Sequence, residues 1–296
     1  RRTVMSGGRP RFAAGDAERI ARERWGVEAR AQTLAGEIDR NFVLVTAAGE
    51  RRVLKVSPGG TDRAAVECQV RALGFLADTP VARLVPQVIR DREGLDLVPV
   101  DGPAGPGWAR LVTYLDGTPL VNVGERSPQL LEGIGRALAR LDLALRGFEH
   151  PGAHRDLIWD LERIEGFAAA LEHVEGAPRR ALAARHLDQL RDRVLPRLAP
   201  LERSVIHNDA NDHNLLIASD AGGRPTLAGL IDFGDILHTV TMTELAVACA
   251  YLMLDRDEPV SDAARVVAGY HAVRPLSPAE QVVLFDLVVA RLCASV

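Results

Sequence analysis

An α+β fold in two parts is what this sequence predicts, and three observations predict it. Short apolar segments separated by turn residues fill the stretch from 27 to 115. After residue 116 the apolar residues recur at helical spacing instead. A single strand–turn–strand segment, 205–235, interrupts those helices. A β-rich first third followed by helices reads as α+β with two lobes. An antiparallel-sheet lobe with one helix is expected over 1–115, and a mainly helical lobe over 116–296.

In order, residues 16–25 (DAERIARERW) read as a short opening helix. Strands follow at Val27–Leu34, Asn41–Thr46 and Arg51–Val56, around the turns GEIDR and 47–50. Alternation in the third strand puts Leu54 and Val56 on one face and Val53 and Lys55 on the other. Thr61 or Asp62 can cap a helix through about Ala77, with Val66, Val70, Leu73 and Leu76 as its buried stripe and Glu67 beside it. Gln87–Arg90 and Leu95–Val100 are further strands, DGPAGPG reads as a loop, and Ala109–Leu115 closes the sheet. Helices are then expected at 128–145, 154–173 and 178–195. In the hairpin, Leu215–Ile217 and Leu227–Ile231 flank a Gly-rich turn. Three helices follow, at about 242–254, 261–272 and 278–295.

Composition narrows the function. The chain of 296 residues is 47% hydrophobic and 26% charged, so it can bury a sizeable core. A net charge of −4 gives no footprint for nucleic acid or an anionic membrane. No run approaches the ~18 apolar residues of a membrane span, and the basic N-terminus lacks the apolar stretch of a signal peptide. Three cysteines with no metal-type spacing argue against a disulfide framework, so a reducing cytoplasm is expected. Residue 1 is not Met and the chain stops inside LFDLVVARLCASV, which suggests a domain cut from a longer protein with a further domain downstream. Of 36 basic residues, Lys55 alone is lysine.

The chemistry concentrates at HNDANDHN and DFGD, at the two open ends of the hairpin. Asp209, Asn214 and Asp232 should converge there. Asp and Asn are hard oxygen ligands suited to Mg²⁺ between protein and phosphate. Phosphoryl transfer from ATP needs charge placed around the phosphates and an aligned hydroxyl. Lys55 would meet the α/β-phosphates, and Glu67, twelve residues on, would orient it. Asp209 would accept or orient the substrate hydroxyl; Asn214 and Asp232, eighteen residues apart, would hold Mg²⁺. Each residue alone is unremarkable: a strand lysine is usually an exposed edge residue, a helix glutamate usually solvated. Their conjunction carries the reading.

HNDANDHNLLI, GLIDFGD, GEIDRNFVL, VLKV, RLVTYLDGTPL and TELAVACAYLML together resemble the aminoglycoside phosphotransferase/choline kinase superfamily, the small-molecule branch of the protein-kinase fold. Within it they are similar to hydroxylysine kinase and to the kinase domain fused to class-III aminotransferases. The resemblance runs from about Gly36 to the end of the chain. It implies a bilobal protein-kinase-like fold and an ATP- and Mg-dependent kinase acting on a hydroxyl of an amino alcohol or hydroxylated amino acid. By position, Gly36–Phe42, including Asn41 and Phe42, becomes the phosphate-covering turn. Val112–Leu115, with Thr113, Tyr114 and Leu115, becomes the hinge against adenine, and His207 the structural histidine.

Two departures stand out. Position 208 is Asn where the wider family usually has Gly, and the phosphate-covering turn lacks G-x-G-x-x-G. No A-P-E segment follows DFG, which argues against a protein substrate. An amine-bearing substrate implies carboxylates, and Asp212, Asp235, Glu244 and Asp160 are the candidates. Glu244 and Asp160 could equally serve their own helices. Trp159 either stacks on a cationic head group or belongs to the core. Aminoglycoside modification, or a non-catalytic nucleotide-binding module, would use the same motifs.

Overall fold

The computed structural model describes residues 12–295 except 35, 37, 103 and 104, and all side chains in that span but those of 164–166. The basic N-terminal segment to residue 11, Glu37 of the GEIDR turn and the middle of DGPAGPG therefore lie outside the described residues. The chain divides into two compact units, Arg1–Asp78 with Val85–Leu115, and Thr79–Leu84 with Asp116–Val296. The sequence leaves 79–84 with the first lobe. Its turn at Ala82–Leu84 instead lies against the strand at 225–230 of the second unit.

The first unit begins with α1 (Ala14–Ile20), which continues as a wider π turn over Ala21–Trp25. Its strands are β1 (Ala29–Leu34), β2 (Arg40–Thr46), β3 (Arg51–Pro58), β4 (Val88–Ile89), β5 (Val98–Gly102) and β6 (Gly105–Thr113). They pair antiparallel in the order β1-β2-β3-β6-β4, with β5 also on β6. Alternation decides the faces. Leu54 and Val56 join Phe42, Leu44, Leu111 and Ile20 in one core, each burial contributing roughly 1.5–3 kcal/mol. Lys55 projects from the other face, directly across from Arg110 of β6. Helix α2 (Arg63–Leu76) starts at Asp62, whose carboxylate accepts from Ala64 N at 3.0 Å, and buries Val66, Val70, Leu73 and Leu76.

One segment differs from expectation here. The described ends of DGPAGPG are strand, since β5 runs on to Gly102 and β6 starts at Gly105. Its glycines serve packing. A Cβ at Gly102 would strike the Phe12 ring at 2.1 Å, and one at Gly107 would sit 2.7 Å from Ser57 O. Composition that reads as flexibility is here the condition for close approach.

The second unit opens with β7 (Thr118–Pro119) and α3 (Pro128–Leu145), the latter capped by the Ser127 hydroxyl. The helix expected over 154–173 is α-helical only as α4 (Ile164–Ala170). Ahead of it, Asp160 Oδ1 accepts from Glu162 N (3.1 Å) and Thr239 Oγ1 (3.0 Å), a side-chain alternative to helical bonding. Next come α5 (Ala177–Gln189), a π turn over Leu190–Val194, α6 (Leu195–Leu198) and β8 (Arg203–Ile206). Then follow β9 (Leu215–Ser219), β10 (Pro225–Leu230), β11 (Leu237–Val240), α7 (Thr243–Leu252), α8 (Pro259–His271) and α9 (Pro278–Ala294). The expected hairpin is β9–β10, extended by β7, while β8 pairs with β11. Helix α7 is buried on all sides, as an all-round apolar helix must be. No helix among the described residues is long and apolar enough to cross a membrane.

Helices α3 and α8 meet backbone to backbone through two glycines. A Cβ at Gly135 would lie 2.0 Å from Val266 O, and one at Gly269 would lie 2.0 Å from Glu132 O, whereas Gly133 faces open space. Gly135→Ala and Gly269→Ala should each lower stability by about 1–3 kcal/mol through overpacking. Gly133→Ala should raise it by about 0.5–1 kcal/mol through helix propensity. Urea unfolding of the three variants checks the opposite signs.

Candidate active site

Two segments meet where the paired strands end. Residues 207–214 join β8 to β9, and 231–236 join β10 to β11; since β8 pairs with β11 and β9 with β10, both connections emerge together. Ile231 N donates to Asn214 O at 3.0 Å. His207 ties them further. Its Nδ1 accepts from Asp209 N (3.2 Å), so Nε2 carries the proton and donates to Ile231 O (3.1 Å). The ring also meets Phe233 edge-on at 4.7 Å.

Asp209 is fixed by two amides. Asn211 Nδ2 donates to its Oδ1 and Asn214 Nδ2 to its Oδ2, both at 2.8 Å, and Asn214 Nδ2 also reaches Asp209 O at 2.9 Å. Arg291 Nη2 stands 3.6 Å from Oδ1. Burial, with Asp235 and Asp232 adding like charge, pushes this carboxyl up to about 7 against the pull of Asn211 and Arg291. Asp232 itself has φ +65° and opens the turn Phe233–Asp235, where a Cβ on Gly234 would crowd its Oδ1 at 3.3 Å. Arg155 Nη2 clamps that turn by donating to Gly234 O (2.5 Å) and Ile236 O (3.3 Å).

The substrate candidates separate. Asp235 keeps close company with Asp209. Glu244 does not face a pocket: it has no exposed surface, and its Oε2 accepts from Asn208 N at 2.8 Å, so it is an anchor for the loop. Asp160 is buried under the bonds described above. Asp212 sits 3.6 Å from the guanidinium of Arg126, which meets its charge. Trp159 is half-buried, with the Arg291 guanidinium 5.1 Å from its ring and Arg291 Nη1 donating to its carbonyl at 3.3 Å. The cation it stacks on is the protein's own.

In the first unit Asn41 lies across from Lys55 in register. Phe42, expected on the phosphate-covering turn, has its side chain wholly in the core. Thr113 Oγ1 accepts from Gln87 N at 2.9 Å, Tyr114 carries the Arg51 guanidinium 4.3 Å from its ring, and Leu115 ends the unit half-buried. The expected Lys55–Glu67 pair is replaced. Glu67 pairs with Arg63 at 3.2 Å near the surface, while Asp39 Oδ2 stands 3.9 Å from Lys55 Nζ. The α2 turn bearing Glu67 points it along its own helix.

Sequence reasoning passed over Asn211, Arg291, Asp39, Arg110 and Gln69. Asn211 left a signal, since Asn two and three residues before polar backbone makes an Asx turn: its Oδ1 accepts from His213 N (2.8 Å) and Asn214 N (3.2 Å). Arg291 left almost none. It is one arginine in an apolar helix, 2% exposed, inserted between Trp159 and Tyr251 by the packing of α9 on α7.

The profile of the phosphotransferase enzyme family (APH) matches residues 31–280. Hydroxylysine kinase of Danio rerio is 30% identical over 265 residues, covering 87% of this chain and 74% of that protein. Among solved structures, a microcompartment-associated aminopropanol kinase superposes with a TM-score of 0.75 at 22% identity, over 94% of this chain and 86% of that one. Amicoumacin kinase in complex with AMP-PNP and Ca²⁺ gives 0.71 at 15% identity, over 96% and 85%. These two likenesses show a common fold.

The unusual Asn208 has a backbone reason. Its φ is +66°, left-handed, a region Gly enters freely and Asn tolerates. It is wholly buried, and among the described residues neither side-chain polar atom has a hydrogen-bond partner. Asn208→Gly should therefore fold at least nearly as stably as the parent, losing two unpaired buried groups. Asn208→Ala should fall below the Gly variant by about 1–2 kcal/mol, the left-handed penalty of a Cβ. Thermal melting of the pair checks the order.

Proposed function

The chain belongs to the phosphotransferase enzyme family, and on that premise we propose that it transfers the γ-phosphoryl group of ATP, with Mg²⁺, to a hydroxyl of an amino alcohol or hydroxylated amino acid. The Asp209 cluster carries this reading. Each carboxylate oxygen accepts one amide hydrogen and keeps lone pairs for a further donor, so the group is oriented and still able to take a hydrogen bond from an acceptor hydroxyl. Buried orientation of this kind is what an aligned nucleophile requires.

The donor set fits a divalent cation. Asn214 spends its Nδ2 on Asp209, which leaves Oδ1 as its hard ligand atom. Asp232 and Asp235 both weigh electrostatically on Asp209, a gathering of carboxylates that a cation relieves. Asn214 and Asp232 would hold the metal, which when bound neutralises phosphate charge. Lys55, on a strand and 3.9 Å from the carboxylate of Asp39, is the ammonium for the donor phosphates; its compact charge suits that task better than the arginine used at every other basic position.

Similarity to a hydroxylysine kinase supports an acceptor that bears both an amine and a hydroxyl. Asp235 is the acidic residue assigned to the amine, because its charge acts directly on Asp209, where the hydroxyl would be oriented. Coupled assays with Mg-ATP against ethanolamine, aminopropanol, hydroxylysine, homoserine and an aminoglycoside test the substrate class. Turnover is expected with an amino alcohol or hydroxy amino acid; turnover with the aminoglycoside alone would reassign the acceptor. Asp209→Asn should lower kcat by about 10²–10⁴-fold while Mg-ATP still raises the melting temperature. Equal behaviour of parent and variant would instead mark a non-catalytic nucleotide-binding module.

A further inference from the structure

Within the first unit, two cations stand directly opposite each other on adjacent strands. Lys55 of β3 and Arg110 of β6 are register partners, and like charges in that relation repel. Arg110 is moreover only 2% exposed, where a cation without bonded partners is costly. The fold resolves this with a closed ring of hydrogen bonds. Arg110 Nη2 donates to Asp39 Oδ2 and to Gln69 Oε1, both at 2.6 Å, and Nη1 donates to Ser57 Oγ at 2.9 Å. Ser57 Oγ in turn donates to Asp39 Oδ1 at 2.6 Å. Lys55 Nζ then stands 3.9 Å from Asp39 Oδ2.

The origin of the carboxylate matters. Asp39 belongs to the turn ahead of β2, and α2 contributes to the ring only the neutral amide of Gln69. Glu67, two residues earlier on α2, is occupied by Arg63 at the surface. Burial alone would raise the Asp39 carboxyl, yet Arg110, Lys55 and Ser57 outweigh it and hold it at about 2. It is therefore charged at any working pH.

We propose that Asp39 is the carboxylate that orients Lys55 toward the donor phosphates, and that Arg110, braced by Gln69 and Ser57, is the positioning residue that fixes Asp39. The usual division, in which a helix glutamate aligns the strand lysine, is here transferred to the turn. The inference rests on the kinase reading above, and nucleotide binding gives it a readout independent of turnover.

Asp39→Asn and Arg110→Lys each keep size and a hydrogen-bonding group, and both should raise the KM for ATP at least tenfold while the KM for the acceptor changes less than twofold. ADP affinity by calorimetry should weaken in parallel. Glu67→Gln should leave all three within twofold. A purely structural ring would lower the melting temperature of the variants without separating the two KM values, and that result overturns the proposal. So does an ATP effect confined to Glu67→Gln. If Arg110→Lys does not fold, Asp39→Asn decides. Should the parent turn over no acceptor, the kinase reading fails, while ADP titration of the same variants still tests the ring.

Discussion

The hydrogen bond from Asn208 N to Glu244 Oε2 is the contact on which the site in the second unit depends. A loop carrying chemistry is normally a surface feature, because its backbone groups need partners. Here residues 207 and 208 are fully buried, and a carboxylate from the most enclosed helix of the unit supplies what the strand ladder no longer can. Glu244 lies next to Asp142, itself bonded by Tyr270 Oη, so two buried acids share this interior. Burial first of all, with Asp209 adding like charge, raises Glu244 to about 7 despite the amides of 207 and 208.

From that anchor the rest follows outward. Asn208 turns the chain into left-handed space, His207 clips it to Ile231, and Asn211 and Asn214 close on Asp209. These short-range devices join polar side chains to backbone and to one another, the chemistry of loops and Asx turns rather than of helix or sheet. Arg291 then reaches in from α9, held between two aromatic rings, and offsets part of the acidity gathered around Asp209. The first unit uses the inverse arrangement. One acid, Asp39, is set among cations and stays ionised, whereas Asp209 is raised by burial first and by neighbouring acids second. Phosphoryl transfer calls for both kinds of field, one to hold anionic phosphates and one to hold a cation and a hydroxyl.

Much of this was legible along the chain, and unevenly. Alternation in VLKV assigned Leu54, Val56 and Lys55 to their faces, and the stripe of α2 was buried as its period requires. Motifs compact in sequence, HNDANDHN and DFGD, were found because the strand pairing that joins them is local. Glu67 was misread for the opposite reason. Spacing on a helix tells which face a side chain shares, but not which of several carboxylates lies nearest a lysine on another element. Phe42, placed by position in the resemblance, went to the core, and the ends of DGPAGPG, read by composition, became strand. Glu244 and Asp160 followed the open alternative, each held by bonds within the fold.

What the amino-acid order determined by itself was most of the elements, their buried faces and the gathering of HNDANDHN and DFGD at the open ends of one hairpin. Those depend on periodicity and on contacts a few residues apart. Only the tertiary structure decided which charges are neighbours. It paired Lys55 with Asp39 across a turn, placed Arg110 inside a ring of acceptors, brought Arg291 to Asp209, and turned Glu244 inward as an anchor. Coulombic partners are chosen by distance and burial, and neither is written in one dimension.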